Sequence, residues 1–470
     1  MPVNTSRSTL LRRLVTTTLA IAALGTSVAA MAQPAPTARE AALEARVAEL
    51  ERMVRQLMAE KQVPASAATD PVPLATAAGG APATVAAGPA AKTPPPVQQA
   101  SIVPNAVAGT TFYFTGYAKA DALWTTTPDG EIPDQESGRE YYVPGQTPIN
   151  GIDEGTDFDF HVKQTRLIAG TETPFGDGDK VKTLFELDFF TSSLGTTSPQ
   201  NITNGYQPQL RQAFFQTKHW LVGQAWSTFQ DVGALPETAD FIGPTDGTVF
   251  VRQAQVRYTY GGFSIAAENP ATTVLPYGGG ARISSDDNTF PDIIGRYTWK
   301  GDWGNVTAAA LVRELKYEKT GANPIDDSTY TAAGSLSGKL MVFGKDDIRW
   351  MILGGNLGRY VGLNFTNDAV LDSNGNLESI DGWAGYIAYR HIWTDRLRSS
   401  LFYAIGDYDN DIGLTGPNAN KSSESWTVNL FYSPIPKLDI GAEYRWAQRE
   451  IESGDDGTLD RFQLTSKYSF

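Results

Sequence analysis

The chain closes on Asp460-Arg461-Phe462-Gln463-Leu464-Thr465-Ser466-Lys467-Tyr468-Ser469-Phe470. Taken two at a time, Phe462, Leu464, Ser466, Tyr468 and Phe470 fall on one face. Arg461, Gln463, Thr465, Lys467 and Ser469 fall on the other. Successive residues of a strand point to opposite sides, so this strand separates an apolar medium from a wet one. It ends on an aromatic ring, the residue type that girdles a transmembrane barrel at the membrane interface. The edge strand of a soluble sandwich would alternate in the same way, so the rest of the chain must decide.

The period of two starts at Thr111 and persists. Phe112, Phe114, Gly116, Ala118, Ala120, Ala122 and Trp124 oppose Tyr113, Thr115, Tyr117, Lys119, Asp121 and Leu123. Trp426, Val428, Leu430 and Tyr432 oppose Ser425, Thr427 and Asn429, and Leu438, Ile440, Ala442, Tyr444 and Trp446 oppose Asp439, Glu443 and Arg445. About sixteen such strands can be laid down, an even number as single-chain bacterial barrels require. Between Phe158 and Gly170 the apolar phase changes parity, from Phe158 and Phe160 to Leu167 and Ala169, which a β-bulge would repair. Short turns at 175–179, 261–262, 300–304, 344–346 and 433–436 alternate with long acidic connections near 126–155, 191–208, 231–247, 270–290, 317–328, 357–380, 407–422 and 451–458. Short turns on one rim and long loops on the other are the barrel pattern.

Composition agrees. The 470 residues carry a net charge of -14, 11% aromatics and no cysteine. Without cysteine there are no disulfides, thiolate metal sites or thiol nucleophiles, and export through an oxidising periplasm carries no risk of mispairing. Arg7, Arg12 and Arg13, then an apolar stretch to Ala30, then Ala30-Met31-Ala32, read as a cleaved signal peptide over 1–32. No later stretch reaches the roughly 18 apolar residues of a spanning helix, so a mature chain in a membrane has to be a barrel.

Residues 33–63 predict a periplasmic helix. Leu43, Val47, Leu50, Val54 and Leu57 form a heptad seam. At roughly 20 residues such a helix is marginal alone and gains stability by pairing with copies of itself as a coiled coil. Residues 64–109 are an Ala/Pro-rich linker that cannot bury a core. The barrel is expected over 110–470. The expected fold class is therefore all-β: a transmembrane antiparallel β-barrel of about 16 strands with an N-terminal coiled-coil helix.

Acidic residues collect in the long connections, whereas inward strand positions are mostly basic. Lys119, Arg166, Lys182, Arg257, Arg296, Arg313, Arg349, Arg398, Arg445 and Arg461 are the expected pore-lining residues. Bases on a low-dielectric wall focus an anion-favouring potential, although facing Arg–Glu pairs that only brace the wall would use the same residue types. The connection Asp231-Val232-Gly233-Ala234-Leu235-Pro236-Glu237-Thr238-Ala239-Asp240-Phe241 follows the fifth strand. Its Gly, Pro and apolar residues suit a loop folded inward as a constriction, with Asp231, Glu237 and Asp240 facing the basic wall.

Several stretches resemble the DcaP-like trimeric porins of Gram-negative outer membranes. They are Leu221-Val222-Gly223-Gln224-Ala225-Trp226-Ser227-Thr228-Phe229-Gln230-Asp231, Gln253-Ala254-Gln255-Val256-Arg257-Tyr258, Ala267-Glu268-Asn269-Pro270, Leu336-Ser337-Gly338-Lys339-Leu340, Gly344-Lys345-Asp346-Asp347-Ile348-Arg349, Tyr389-Arg390-His391, Leu397-Arg398-Ser399-Ser400 and Tyr432-Ser433-Pro434. The resemblance implies a sixteen-stranded homotrimer, joined through the barrel wall and the N-terminal helix. It implies a channel for small, mainly anionic solutes such as dicarboxylates, and a general lumen role for Arg166, Arg257, Arg296 and Arg313. The expected partners are copies of the chain, outer-membrane lipid and lipopolysaccharide, and small anions, with no nucleic acid and no cofactor. Sugar- or phosphate-selective transport and a barrel anchor with a structural envelope role are the alternatives. An enzyme is not expected, because His161, His219 and His391 show no evident catalytic partner. Asp407-Tyr408-Asp409-Asn410-Asp411 hints weakly at Ca²⁺ but lacks the rest of an EF-hand loop.

Overall fold

The computed structural model describes Arg52 and residues 107–470, apart from 108, 154, 177, 191–204 and 322. The expected signal peptide, the heptad helix other than Arg52 and nearly all of the linker lie outside the described residues.

Sixteen antiparallel positions close a barrel. They are filled by β1 (Thr111–Thr126), β2 with β3 (Thr156–His161, Arg166–Phe175), β4 (Asp179–Asp188), β5 (Gln209–Gln216), β6 (Trp220–Trp226), β7 (Arg252–Tyr260), β8 (Phe263–Glu268), β11 (Asp292–Gly301), β12 (Gly304–Lys319), β13 (Ile325–Val342), β14 (Asp346–Gly355), β17 (Asp381–Ile392), β18 (Leu397–Asp409), β19 (Asn420–Ile435), β20 (Leu438–Ile451) and β21 (Asp456–Ser469). The ring shuts where β21 pairs β1, from Tyr117↔Ser469 to Thr126↔Asp460. Closure removes the free sheet edge that hydrocarbon would not tolerate.

β2 and β3 share one position. β2 pairs β1 from His161↔Asp121 upward and β3 pairs it from Arg166↔Tyr117 downward. Ala118, Lys119 and Ala120 thus oppose four residues, Val162–Thr165. One extra residue reverses the parity, so Phe158 and Phe160 and then Leu167 and Ala169 share the outer face, as the sequence requires. The Lys119 amide donates to Thr165 Oγ1 at 3.1 Å inside this bulge.

The last strand alternates as read. Arg461, Gln463 and Thr465 are buried, while Phe462, Leu464, Tyr468 and Phe470 are exposed on the outside. Exposed aromatics gather near both rims, with Tyr260, Phe263, Trp299, Trp303, Trp393, Tyr432 and Tyr468 at the short turns and Trp124, Tyr330, Trp383, Trp426 and Tyr444 toward the other end. Neighbouring rings touch across strands: Trp124 lies 5.0 Å from Phe158 and 5.9 Å from Phe462. An outer surface this apolar would be an aggregation liability in water and suits a lipid hydrocarbon band.

Two expected long loops are strands instead. β12 and β13 stay paired to Lys319↔Ile325, and β20 and β21 leave only 452–455 between them. In the β12–β13 hairpin Leu315, Tyr317 and Ile325 pack against the apolar residues of the inner connections, while Glu318 and Asp326 are exposed, so the charge stays in water and does not oppose pairing. Residues 407–422 hold the end of β18, a short helix α1 (Ile412–Thr415) and the start of β19.

Connections 269–291 and 356–380 fold against the inside of the wall. Residues 269–291 carry β9 (Thr272–Leu275) and β10 (Ile283–Ser285), and 356–380 carry β15 (Ala369–Leu371) and β16 (Leu377–Ser379). These four form a small sheet in the order β10-β9-β15-β16, with β9 and β15 parallel. Inside the wall, Phe229, Val249, Ile294, Leu311, Met351, Leu353, Tyr360, Phe365, Tyr386 and Tyr408 pack as one apolar cluster. Part of the barrel cross-section is therefore solid protein.

Close approach decides where loop 227–251 lies. A Cβ on Gly247 would sit 1.9 Å from the carbonyl oxygen of Gly385 on β17. Gly247→Ala is expected to push the loop off this wall and to destabilise the barrel by about 1–3 kcal/mol, the usual range for overpacking. The midpoint of heat-induced loss of the compact electrophoretic form measures it.

Candidate pore and loop site

The site follows from which side chains the alternation sends inward and which of them the loops then cover. Loop 227–251 crosses to the far wall and is fastened there along its length. Asp231 meets Arg296 at 3.4 Å and accepts from Ser337 on β13 at 3.1 Å. The Ala234 carbonyl accepts from Tyr386 on β17 at 2.8 Å, and the Leu235 carbonyl accepts from Arg349. Glu237 takes a two-pronged contact from Arg398, 2.7 Å on each prong. Asp240 lies 3.6 Å from Arg445.

Glu443 on β20 holds the loop tip. It accepts from Thr238 Oγ1 at 2.8 and 2.9 Å, from the Ala239 amide at 2.8 Å, from the Asp240 amide at 3.3 Å and from Asn429 at 3.0 Å. Lys119 Nζ and Gln463 donate to the Ala239 carbonyl at 2.6 and 3.0 Å. Loop 127–155 leans on the same tip, with the Tyr142 amide on Asp240 and its hydroxyl on Asp246 at 2.8 Å. Burial pushes the Asp246 carboxyl up, against hydrogen bonds from Ser425 and Tyr142.

The three loop acids thus touch wall arginines. Opposite charges in contact largely cancel, so these pairs act as rivets and not as a field across an open gap. The expected pore-lining residues divide accordingly. Lys119, Arg313, Arg445 and Arg461 point inward but are only 5%, 1%, 2% and 2% exposed. The folded loops cover them, which corrects their placement on the water-facing wall. Lys119 pairs with Asp121 at 2.9 Å. Arg461 donates to Thr125 at 2.9 Å and to the Gly138 carbonyl. Arg313 is closed in by Asp368 at 2.5 Å and Asp292 at 3.6 Å.

Lys182 is 58% exposed and reaches Glu172 at 3.4 Å. Arg166 joins Glu186 at 2.7 Å and Asp188 at 2.9 Å. Arg257 makes no ion pair among the described residues. Near the short-turn rim, Arg257, Arg296, Lys339, Arg349, Arg390, Arg398 and Lys467 lie along an arc from β7 to β21. The carboxylates they meet are Asp231, Glu237, Asp347 and Asp439. Asp347 alone faces Arg390 at 2.5 Å, Arg349 at 2.7 Å and Lys339 at 3.8 Å. Asp439 faces Arg398 at 2.9 Å and Lys467 at 3.3 Å. Bases outnumber acids along this arc, which leaves a positive excess on a low-dielectric wall.

Arg390 and Lys467 also sit at the inward parity that the alternation of β17 and β21 gives them. Arg252 was not expected here: it falls on the outward parity of β7, so alternation gives no signal for it. Each histidine has a local partner. His161 bonds to the Glu140 carbonyl, His219 to the Thr259 carbonyl and His391 to Asp346 at 2.7 Å. Asp411 caps α1 through the Gly413 amide at 2.9 Å. Among the described residues no group of three or more acids or histidines is placed to hold a metal ion.

A closed sixteen-stranded barrel with an apolar outside, charged inside and an inward-folded third loop defines a porin-type outer-membrane protein. Residues 158–470 match the family model described as DcaP outer membrane protein. The chain belongs to that family. This is a family of outer-membrane barrels and not of enzymes. Among solved structures the chain is similar to the outer membrane channel DcaP of Acinetobacter baumannii, at 23% identity and a TM-score of 0.63, covering 78% of this chain and 99% of that one. OmpF of Salmonella typhi, in complex with daunomycin, aligns at 13% identity and a TM-score of 0.48 over 77% of this chain and 98% of that one. OmpT of Vibrio cholerae aligns at 13% identity and a TM-score of 0.47 over 78% and 99%. No curated protein sequence matches.

Proposed function

We propose that the barrel is a passive diffusion channel of the bacterial outer membrane that favours small anions, dicarboxylates among them. The observation that carries this reading is the arc from Arg257 to Lys467, where seven bases stand along the wall and six of them share four carboxylates. A positive excess on a narrow wall raises the local concentration of anions. The exposed Lys182 and the half-buried Arg257, Arg296, Arg349 and Arg398 act as the lining, and the loop bearing Asp231, Glu237 and Asp240 narrows the passage. Membership of the DcaP family supports the channel reading.

The same proposal includes a homotrimer, joined through the barrel wall and a periplasmic coiled coil over 33–63, which follows a cleaved signal peptide and precedes the linker at 64–109. The trimer is surrounded by outer-membrane lipid and lipopolysaccharide. Mass measurement of the detergent-solubilised protein tests it: three copies are expected, and a monomer rejects it.

Glu237→Gln provides a signed test of the charge argument. It removes a carboxylate from Arg398 and leaves Asp439 as that arginine's one acidic partner. The anion-to-cation permeability ratio is expected to rise by roughly two- to fivefold, the scale of one partly exposed ion pair. Reversal potentials in a salt gradient read the ratio. A fall would place the arc outside the conduction path.

A further inference from the structure

The chain that returns from the loop into β7 alternates its side chains across two environments. Val249 is buried in the apolar cluster and Val251 packs against it. Gln253 continues on that side, donating to Glu268 at 3.1 Å and Tyr360 at 2.8 Å. Phe250 and Arg252 take the other side. There Phe250 meets Trp226 at 4.9 Å and Phe241 at 5.5 Å. The Arg252 guanidinium sits over the Trp226 ring, 3.6 Å from its centroid, and 5.3 Å from that of Phe250. Arg211 and Arg166 approach Phe241 at 5.2 and 5.9 Å. Both are close enough for their charges to act on Arg252.

The partners of these three arginines are unequal. Arg166 is held by Glu186 and Asp188, and Arg211 by Asp188 at 2.7 Å and the Phe190 carbonyl at 2.7 Å. Arg252 has neither a carboxylate nor a carbonyl among the described residues, and its Nε is buried with no hydrogen-bond partner. A buried guanidinium N–H with nothing to donate to is costly and asks for an occupant. The indole covers one face of the group, so the edge remains. A guanidinium edge offers two parallel N–H donors, the match for a planar carboxylate. The surrounding rings keep water away and strengthen such a contact.

We propose that the edge of Arg252 is a binding step for carboxylate anions on their way past the loop, an inference that rests on the anion-channel reading and names the residue that discriminates among anions. Chloride has the same charge but cannot take two parallel hydrogen bonds. The slot therefore selects by shape where the arc near the short-turn rim selects only by sign.

The test uses the full chain in planar bilayers, with sodium chloride on one side and sodium acetate on the other. Arg252→Gln removes the charge, and Arg252→Lys keeps the charge but loses the fork. Both variants are expected to lower the acetate-to-chloride permeability ratio, the Gln variant by about tenfold, the scale of a lost charge-assisted hydrogen bond. The Lys variant is expected to keep the overall anion preference. Wild-type ratios in both conducting variants would overturn the role of Arg252 and leave the channel reading intact. A wild-type barrel that fails to conduct, or that prefers sodium, would overturn both.

Discussion

Replacing Arg313 by Met is expected to release the inner sheet of the barrel. Arg313 contacts Asp368 at 2.5 Å and Asp292 at 3.6 Å, and donates to the Ala271 carbonyl. Asp368 in turn accepts from the Thr273 amide and hydroxyl at 2.7 and 2.9 Å and from the Arg359 amide at 3.0 Å. These contacts tie β9 to the loop that carries β15. Removing the cation leaves the buried Asp368 without its ion-pair partner, a change of about 3–5 kcal/mol, while Asp292 keeps Arg359 at 2.7 Å. Limited proteolysis should cut 269–291 and 356–380 in the variant and spare them in the wild type. Asp368→Asn keeps the shape and is expected to do less harm.

The same pair fixes a pH window. Burial alone would raise the Asp368 carboxyl, but the Arg313 charge and hydrogen bonds outweigh it and hold the group below the usual carboxylate range. A depressed folded value contributes stability that is complete above the unfolded value of about 4 and is lost as pH falls through the folded one. Protection of the two loops should therefore be flat from neutral pH to about 4 and decline only below it.

Glu443→Ala is expected to unpin the loop tip. One carboxylate there collects Thr238, the Ala239 and Asp240 amides and Asn429. Its loss leaves Ala239 N–H buried without a partner, about 1–3 kcal/mol for that group alone. Asp231–Arg296 and Glu237–Arg398 still hold the rest of the loop, so the barrel should fold. Single-channel recordings should then show a larger mean conductance and added current noise. A quiet, unchanged trace would mean that the tip does not border the conducting path.

The barrel was legible because alternation is set by two media that differ sharply along the whole wall. The reversal of parity between Phe160 and Leu167 even located the bulge at Val162–Thr165. Inward parity, however, is not the same as contact with water. Arg313 and Arg445 point inward like Arg257, and nothing local to them signals that a distant loop covers them. That depends on Asp368 and Asp240, which lie in other connections. Arg252 failed in the opposite way: its parity points outward, and only Trp226, Phe241 and Phe250 together reveal the polar slot beside it. The β12–β13 hairpin was misread because charge was taken as a loop signal, whereas the paired strands keep that charge in water and pack Tyr317 and Ile325 on the other side.

An anion-selective porin needs an open path through this wall. Reconstitution in planar bilayers under a potassium chloride gradient measures it directly. Ion conduction with a reversal potential of anionic sign is expected; a potential of cationic sign, or a membrane that stays insulating with the folded protein inserted, would rule the path out.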